Sequence, residues 1–403
     1  MHKQLMGAAS VAGLAAVAFT ASILVPMTAI ADSGTASNTG TPPPAEKSIY
    51  DRIWGLASLY KNPDNPWFEE LNIVGREQVD FYEFDGDKGS QADMVDRRTR
   101  IGLKARFLKD FTLHTEVDLN LEPHGEVYNK LTDAYLKWSP AKWLNLSAGK
   151  ISAKFTLDGS TSSTQLITID RSNLANNVWF PEEYISGIGA NGDVGNWFYN
   201  AGVFSSGGSN SEFGNFQGGW FTLLSTGYNF GSLLGLDKAI ARVDYVHQDP
   251  NLDPNASNPN QKNDFTRPFE NIGSLNFWLE QGRWSFGTDV SYADGYGSQS
   301  NVEGLQLEPA VRFCETWQGV FRYTFLNSDD PNGIRFARYE NVIVGSKARG
   351  DEYNEVYLGL NKYFYGHKLK WQTGLQYSTM NDSAHDGGNW DGWGVTTGLR
   401  ISW

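Results

Sequence analysis

Hydrophobic and polar residues alternate one for one over much of the chain between about Leu71 and Trp403. The clearest stretch is Phe111–Glu122, in which Phe, Leu, Thr and Val fill one set of alternate positions and Thr, His, Glu, Asp and Asn fill the other. Successive side chains of a β-strand point to opposite faces, so this pattern predicts a strand with one apolar face and one polar, water-facing face. Residues 99–107 and 393–403 repeat it.

About sixteen such segments are predicted, and the connections between them alternate between long and short. The segments lie near 71–84, 95–108, 110–122, 130–139, 143–152, 184–191, 196–205, 218–229, 238–248, 271–281, 283–293, 303–313, 316–327, 352–365, 367–378 and 392–403. The long connections are 85–94, 153–183, 206–217, 249–270, 328–351 and 379–391, whereas 109–110, 139–142, 281–283 and 366–367 are short. Long extracellular loops and short periplasmic turns give this rhythm in bacterial barrels. We therefore predict an all-β fold, a transmembrane antiparallel β-barrel of about sixteen strands in the bacterial outer membrane.

Composition agrees with a barrel. Aromatic residues make up 14% of the chain, yet the mean hydropathy is −0.43. After the N-terminus, no stretch approaches the ~20 continuous apolar residues of a spanning helix. Aromatic rings favour the level of the lipid headgroups, and several of them stand beside the short turns, which predicts a periplasmic girdle. These are Phe111, Trp138, Trp143, Trp197, Trp284, Trp317 and Trp403.

Three regions are expected along the chain. Residues 1–31 resemble a secretory signal peptide, with Lys3, an apolar stretch and the small-residue pattern Ala29-Ile30-Ala31, so the mature chain is expected to start at Asp32. The alternative is an N-terminal membrane anchor. Residues 32–69 are rich in Pro, Ser, Thr and Gly and predict a flexible periplasmic linker. Residues 70–403 form the predicted barrel.

Charge and motifs exclude several functions. Removal of Lys3 leaves 32 basic against 46 acidic residues, a net charge of −14, which argues against nucleic-acid binding. The single cysteine, Cys314, excludes an internal disulfide. No GxSxG or HExxH motif is present, and the histidines lack metal-ligand spacing, so we expect no enzyme activity, no metal and no cofactor. A lipase-type Ser/His site on the barrel wall and a Ca²⁺ site at 382–391 are weaker alternatives.

Several short stretches resemble the phosphate-selective porin O and P family. They are Asp96–Gly102, Leu131–Tyr135, Leu146–Lys150, Thr161–Ser163, Val356–Lys370 and Gly398–Trp403, and the similarity spans most of residues 70–403. The resemblance implies a sixteen-stranded barrel that assembles as a homotrimer and passes small anions. It also implies that the third long connection, 153–183, constricts the lumen.

Arg98, Arg100, Lys104 and Arg106 alternate along one strand and therefore predict a basic rail on one wall of the lumen. Such a rail favours anions, and the planar fork of Arg suits phosphate. Pairing with Glu116, Asp118 and Glu122 of the next strand is an equal alternative. Further candidates for the lumen are the basic Arg76, Arg242, Arg312, Arg322, Lys368, Lys370 and Arg400 and the acidic Asp80, Asp133, Asp244, Asp289 and Glu308. The numbers of basic and acidic candidates are comparable, so they do not determine whether the channel prefers anions or cations.

Lys150, Lys154 and Arg171 flank or lie in the third connection and are predicted gate residues. A surface loop that only packs on its neighbours is the alternative. Arg322 is predicted to line the pore or to pair with a neighbouring strand. The long connection 328–351, here called the seventh loop, carries Arg335, Arg338, Lys347 and Arg349. These residues could attract anions, bind lipopolysaccharide phosphates, or simply be solvated.

The sequence thus predicts an outer-membrane porin that admits small hydrophilic solutes by passive diffusion, with a lean toward anions such as phosphate. A general, non-selective porin and a plugged structural or adhesive barrel are the alternatives. The expected partners are outer-membrane lipid and lipopolysaccharide, small anions and two further copies of the chain.

Overall fold

The computed structural model describes residues 47–122, 125–180, 183–205, 212–213, 219–249 and 267–403. The predicted signal peptide and residues 32–46 of the predicted linker lie outside these described residues, as do most of the predicted loops 206–217 and 249–270. Among the described residues, no helix is long and apolar enough to cross a membrane.

Sixteen antiparallel strands form a closed barrel, which confirms the predicted fold class. The last strand pairs with the first, from Ser402 opposite Arg76 to Gly392 opposite Gly86, and this pairing closes the cylinder. In chain order the strands are β2 (Phe68–Gly86), β3 (Gly89–Phe107), β4 (Phe111–Leu119), β5 (Tyr128–Ala141), β6 (Leu144–Ser152), β7 (Tyr184–Val194), β8 (Trp197–Ser205), β9 (Trp220–Asn229), β10 (Lys238–Gln248), β11 (Phe269–Gln281), β12 (Trp284–Gly295), β13 (Val302–Cys314), β14 (Trp317–Ser328), β17 (Glu352–Tyr365), β18 (Leu369–Asn381) and β19 (Trp390–Ser402).

In the described ranges, three short strands and five short helices are not part of the barrel wall. The strands are β1 (Ser58–Lys61), which pairs with the start of β2, and β15 (Ile334–Arg335) and β16 (Arg349–Gly350), which pair with each other. The helices are Ile49–Gly55, Leu157–Ser160, Asn173–Val178, Gly231–Leu234 and Glu340–Val344.

The predicted long connection 85–94 is wrong, because β2 and β3 continue through it to a two-residue turn. Gly86 pairs with Gly89 across Asp87 and Lys88. Gly89 has a φ of +127°, which favours glycine, and this glycine lets the chain reverse so tightly. Polar residues on both strand faces hide the alternation on which the prediction depended.

The prediction of a flexible linker is also wrong for residues 47–69. These residues form a helix and strand β1, and β2 already starts at Phe68. Ser48 and Asp51 each bond to the other's backbone N–H, and this capping box fixes the start of the helix. The Ser-x-x-Asp pattern was the available sequence signal.

A hydrophobic core lies inside the barrel rather than between sheets. Phe155, Leu174 and Trp179 of the third long connection pack in one cluster with Phe221 of β9 and Tyr353 of β17. Apolar side chains on the opposite wall face, such as Leu103 and Leu399, are exposed as expected of a lipid-facing belt. Part of the lumen is thus packed like a protein interior.

Candidate functional site in the barrel lumen

Residues 153–180, here called the inner loop, lie inside the barrel as the resemblance implies. Its backbone is held by inward side chains of strands around the cylinder. Asp244 of β10 and Asp289 of β12 accept hydrogen bonds from the N–H groups of Thr156 (3.1 Å) and Leu157 (2.6 Å). Further bonds from Asn361, Lys370 and Arg400 end on the carbonyls of Ile167 (2.7 Å), Leu166 (2.5 Å) and Ile169 (3.1 Å).

Four of the further predicted lumen cations are paired with buried carboxylates, namely Arg76, Arg242, Arg322 and Arg400. Arg400 contacts Asp80 at 2.5 Å, and Arg242 contacts Asp244 at 2.9 Å. Ion pairs that leave the solvent lose hydration, so they persist only where further hydrogen bonds satisfy them. Here the inner loop supplies those bonds, since Arg242 also donates to the carbonyl of Thr156 at 2.5 Å. These cations therefore hold the loop.

Arg322 belongs to the same group. It is buried, contacts Glu355 of the neighbouring strand at 2.9 Å and donates to the carbonyl of Asp170 at 2.8 Å. Its guanidinium also lies over the ring of Tyr357, 4.9 Å from the centroid. Of the two predicted placements, pairing with a neighbouring strand is the one that the structure shows.

The members of the basic rail have different surroundings. Arg98 donates to Gln78 Oε1 at 2.8 Å, and Arg100 donates to the Tyr184 hydroxyl at 2.9 Å. Arg106 is half exposed near the short-turn end, 3.9 Å from Glu70. Lys104 lies between Arg100 and Arg106 on β3, opposite Asn72 and His114 in the sheet register.

The predicted neutralisation of the rail by the next strand is partial. Arg100 Nε lies 3.6 Å from Asp118, but Glu116 pairs instead with Arg76 of β2 at 3.2 Å. Glu122 is exposed and accepts a hydrogen bond from the backbone N–H of Asp96. One of the three carboxylates therefore pairs with a rail residue, and Arg98 has no carboxylate partner among the described residues.

A cavity of about 510 Å³, here called the loop-side chamber, lies between β3, the inner loop and the seventh loop. Cations outnumber carboxylates in its lining, seven to three. The cations are Arg97, Arg98, Arg100, Lys130, Arg171, Arg267 and Arg338, and the carboxylates are Asp118, Asp170 and Glu183. The lining as described therefore has an excess of positive charge that attracts anions.

Two of these carboxylates are held by arginines. Asp170 lies 3.1 Å from Arg97 and 3.4 Å from Arg338. Burial alone would raise the pKa of Asp170, but the arginines outweigh it and the pKa is lowered. The pKa of Glu183 falls to about 2 for the same reason, with Arg171 as the largest favourable contributor. Both carboxylates thus stay ionised at neutral pH.

Arg171 connects the ends of the inner loop. It donates to the carbonyls of Asp158 and Thr161, both at 3.0 Å, and lies 3.6 Å from Glu183. Its guanidinium also stacks over Trp179, 4.5 Å from the ring centroid. This predicted gate residue therefore both lines the loop-side chamber and fixes the shape of the loop.

Lys154 and Lys150 are separated from that chamber. Lys154 lines a second cavity of about 440 Å³, the turn-side chamber, together with Asp133, Lys137 and Arg242. Lys150 is buried and donates to the carbonyl of Glu212 at 2.6 Å. The structure thus brings Arg98, Arg100 and Arg171 together and leaves the other predicted residues elsewhere.

Between the two chambers lies a polar strip on β4 and β5. The side-chain ligand atoms of His114, Glu116 and Asp133 lie within 4.8 Å of one another, a spacing that could hold a metal ion. Glu116 is already paired with Arg76, however, and His114 Nδ1 lies 3.2 Å from the Tyr135 hydroxyl. A cation there would have to displace an arginine, so this group is best described as part of the channel wall.

Sequence reasoning missed three cations of the chamber, Arg97, Lys130 and Arg267, and gave Arg338 a different role. Arg97 stands at a register shift in the β2–β3 pair, where Val79 pairs with Asp96 and Gln78 with Arg98. This bulge turns Arg97 toward the lumen beside Arg98, and no sequence signal indicated it. Arg267 follows a stretch with no periodicity. The sequence placed Arg338 only in the seventh loop, as a residue that could attract anions to the channel mouth.

Residues 71–244 match the sequence profile of the phosphate-selective porin O and P family. No curated protein sequence matches this chain. Solved structures resemble it in fold. The anion-selective porin from Comamonas acidovorans is 10% identical, with 83% of this chain and 99% of that chain covered and a TM-score of 0.55. The outer-membrane channel DcaP of Acinetobacter baumannii is 13% identical, with 83% of this chain and 97% of that chain covered and a TM-score of 0.53. The trimer form of OmpT of Vibrio cholerae is 14% identical, with 83% of this chain and 99% of that chain covered and a TM-score of 0.50.

The profile match covers the basic rail, the inner loop and the strip between the chambers. The barrel closure, the strand number and the inward loop agree with it. The chain is therefore an outer-membrane β-barrel with the fold of porins, and its residues 71–244 match the phosphate-selective porin O and P family.

Proposed function

We propose that this channel conducts small anions passively, along the wall formed by β2 to β5. The observation that carries the proposal is the loop-side chamber, where seven cations face three carboxylates. A passing anion meets Arg98, Arg171 and Arg338 in succession around one cavity and can be exchanged between weak sites. We propose no catalytic activity, because the charged groups serve to hold the loop and attract ions.

Phosphate and solutes that carry phosphate are the preferred anions in this proposal. Arginine offers two parallel N–H donors, which match two oxygens of a phosphoryl group. Arg98 and Arg338 both have donor groups beyond those that the described contacts use, and both line the same cavity. The family's description and the anion-selective neighbour support the same choice.

The working unit in this proposal is a homotrimer, and the mature chain starts at Asp32 after export. The trimer form of OmpT supports the first point by likeness of fold alone. Native mass spectrometry of the detergent-solubilised protein gives the copy number and the mass of the mature chain in one measurement. A monomer, or a chain that retains residues 1–31, would contradict these two statements.

A plugged barrel is a second candidate, because the inner loop and its apolar core fill part of the lumen. Single-channel recording in planar bilayers separates the candidates. A plugged barrel gives no conductance, a general porin gives conductance with little ion preference, and the proposed channel gives an anion-biased reversal potential in a KCl gradient. Added phosphate should reduce the chloride current.

The double substitution Arg98→Gln with Arg338→Gln tests the chamber itself. A unit charge about 6 Å from an ion in water contributes about 0.7 kcal/mol, so the loss of two charges should lower the partitioning of anions into the chamber roughly tenfold. Lys88→Gln is the control for a general charge effect, because it removes one positive charge from the β2–β3 turn outside the chamber. A reversal potential that stays at the wild-type value in the double variant would refute the proposal.

A further inference from the structure

The segment from Ser48 to Lys61 is fixed to the barrel at the end that carries the short turns. Trp54 Nε1 donates to the carbonyl of Ser402 at 2.6 Å, and the Tyr50 ring stacks on Tyr365 with centroids 5.4 Å apart. The Tyr365 hydroxyl donates to Asp51 at 2.6 Å. A short helix is thereby held beside the last strand.

Strand β1 continues this attachment along the open edge of β2. Strand β19 pairs with β2 only from Arg76 onward, and β1 pairs with the part of β2 that β19 leaves unpaired, from Glu70 to Asn72. The backbone N–H of Ile73 also donates to the carbonyl of Ala57 at 2.8 Å. Because unpaired strand edges invite association, this segment has a clear structural reason to stay in place.

The helix Ile49–Gly55 and the residue after it carry an apolar stripe that the described part of the chain leaves exposed. Ile49, Ile53 and Leu56 follow the i, i+4, i+7 spacing of one helix face and are 68%, 52% and 77% exposed. The neighbouring flank, with Tyr50 and Trp54, packs on the barrel. The helix therefore has one flank on protein and an adjacent flank that is apolar and bare.

A groove of about 570 Å³ with an almost wholly apolar lining lies between this helix and the barrel exterior. Its walls include Ile53 and Leu56 from the helical segment and Ile73, Ile401 and Trp403 from the barrel. Arg400, next to Ile401, points inward to Asp80, so Ile401 lies on the outward, lipid-facing side. The groove is therefore continuous with the belt of exposed apolar residues that includes Leu399.

We propose that the helix and its groove dock into the periplasmic leaflet of the outer membrane, with a phospholipid acyl chain in the groove. The inference rests on the transmembrane placement of the barrel and goes beyond conduction. Three observations support lipid rather than water or protein: the continuity with the lipid-facing belt, the nearly complete lack of polar groups in the groove, and the position beside the aromatic ends of the strands. Lys47 and Arg52 are exposed beside the stripe, where they can meet lipid phosphates.

Spin labelling of the full-length mature chain tests this placement. In a Cys314→Ser background, Ile53→Cys and Leu56→Cys are labelled in vesicles of phosphatidylethanolamine and phosphatidylglycerol. The matched control is Gly55→Cys, which lies about 200° around the helix from Ile53 and has open space at the position of a Cβ. Power saturation then compares collisions with oxygen, which concentrates in lipid, and with a water-soluble nickel chelate.

At positions 53 and 56 we expect oxygen collisions to exceed nickel collisions severalfold, with the reverse at position 55. High nickel accessibility at all three positions would show a helix in water and overturn the proposal. Low accessibility to both reagents with immobilised spectra would show a protein partner, such as a second copy, and would overturn it as well. The same samples should keep the wild-type reversal potential, so failure here is distinguishable from failure of the proposed channel function.

Discussion

Replacement of Arg322 by Met should loosen the inner loop, because three interactions depend on this one guanidinium. It contacts Glu355 at 2.9 Å, donates to the Asp170 carbonyl at 2.8 Å and lies 4.9 Å from the Tyr357 ring centroid. The side chains of Arg322 and Glu355 are 3% and 1% exposed. Removal of one partner of such a buried pair leaves an uncompensated charge and costs about 3–5 kcal/mol. Met keeps most of the volume, so packing contributes little to the loss.

The assay is urea unfolding in lipid vesicles, followed by tryptophan fluorescence, together with single-channel noise. Arg322→Met should lower the free energy of unfolding by the amount above and increase flicker of the open channel. Adding Glu355→Gln removes the buried charge and should recover most of the stability. The open channel should still flicker, because the hydrogen bond to the Asp170 carbonyl is missing. A loss below about 1 kcal/mol in the single variant, or a double variant as unstable as the sum of both singles, would refute this account of the loop.

Two further predictions concern the seventh loop and the topology. Burial outweighs the hydroxyl donors of Ser378 and Tyr353 and raises the pKa of Glu340 from its ordinary value of 4.5 to about 7. The fold therefore favours the protonated carboxyl: its contribution is complete below about pH 4.5 and is lost as pH rises through about 7, by about 3 kcal/mol. Glu340→Gln should flatten this part of the stability profile in pH-dependent urea unfolding, and an unchanged slope would contradict it. Cys314 is exposed beside a short turn, so a polymer-linked maleimide too large for the lumen should label it only after the outer membrane is permeabilised. Asp386→Cys in a Cys314→Ser background should react with the same reagent on intact cells. The reverse labelling pattern would show that the barrel has the opposite orientation in the membrane.

The strand positions were predictable because lipid and water impose opposite requirements on alternate residues of every strand. Strands β10 and β17 have the predicted bounds, and most others differ by one to three residues. The alternation of apolar and polar residues failed as a guide where lipid no longer faces one side of the strand. Around the β2–β3 turn both strand faces are polar. Near Ile49 the structure has a helix, whose capping box is a shorter-range signal than strand alternation.

The site was less predictable, because sequence alternation shows which way a side chain points but not what it meets. Arg98 and Arg322 have the same inward pattern, yet one lines a cavity and the other is buried under the inner loop. That difference depends on contacts across the lumen between residues more than a hundred positions apart. Arg97 depends on a bulge, which shifts the register without any change in composition.

The long sequence separation between the inner loop and its anchors has a consequence for assembly. Leu166 meets Lys370 across 204 residues, and Ile169 meets Arg400 across 231. An emerging chain therefore reaches the loop long before it reaches the strands that hold it. Ordering of the loop must wait for the final third of the sequence, and the entropic cost of that delay makes the filling of the lumen a late and slow event in folding. A truncated chain that kept the loop but lacked β18 and β19 would lose its channel interior as well as its wall.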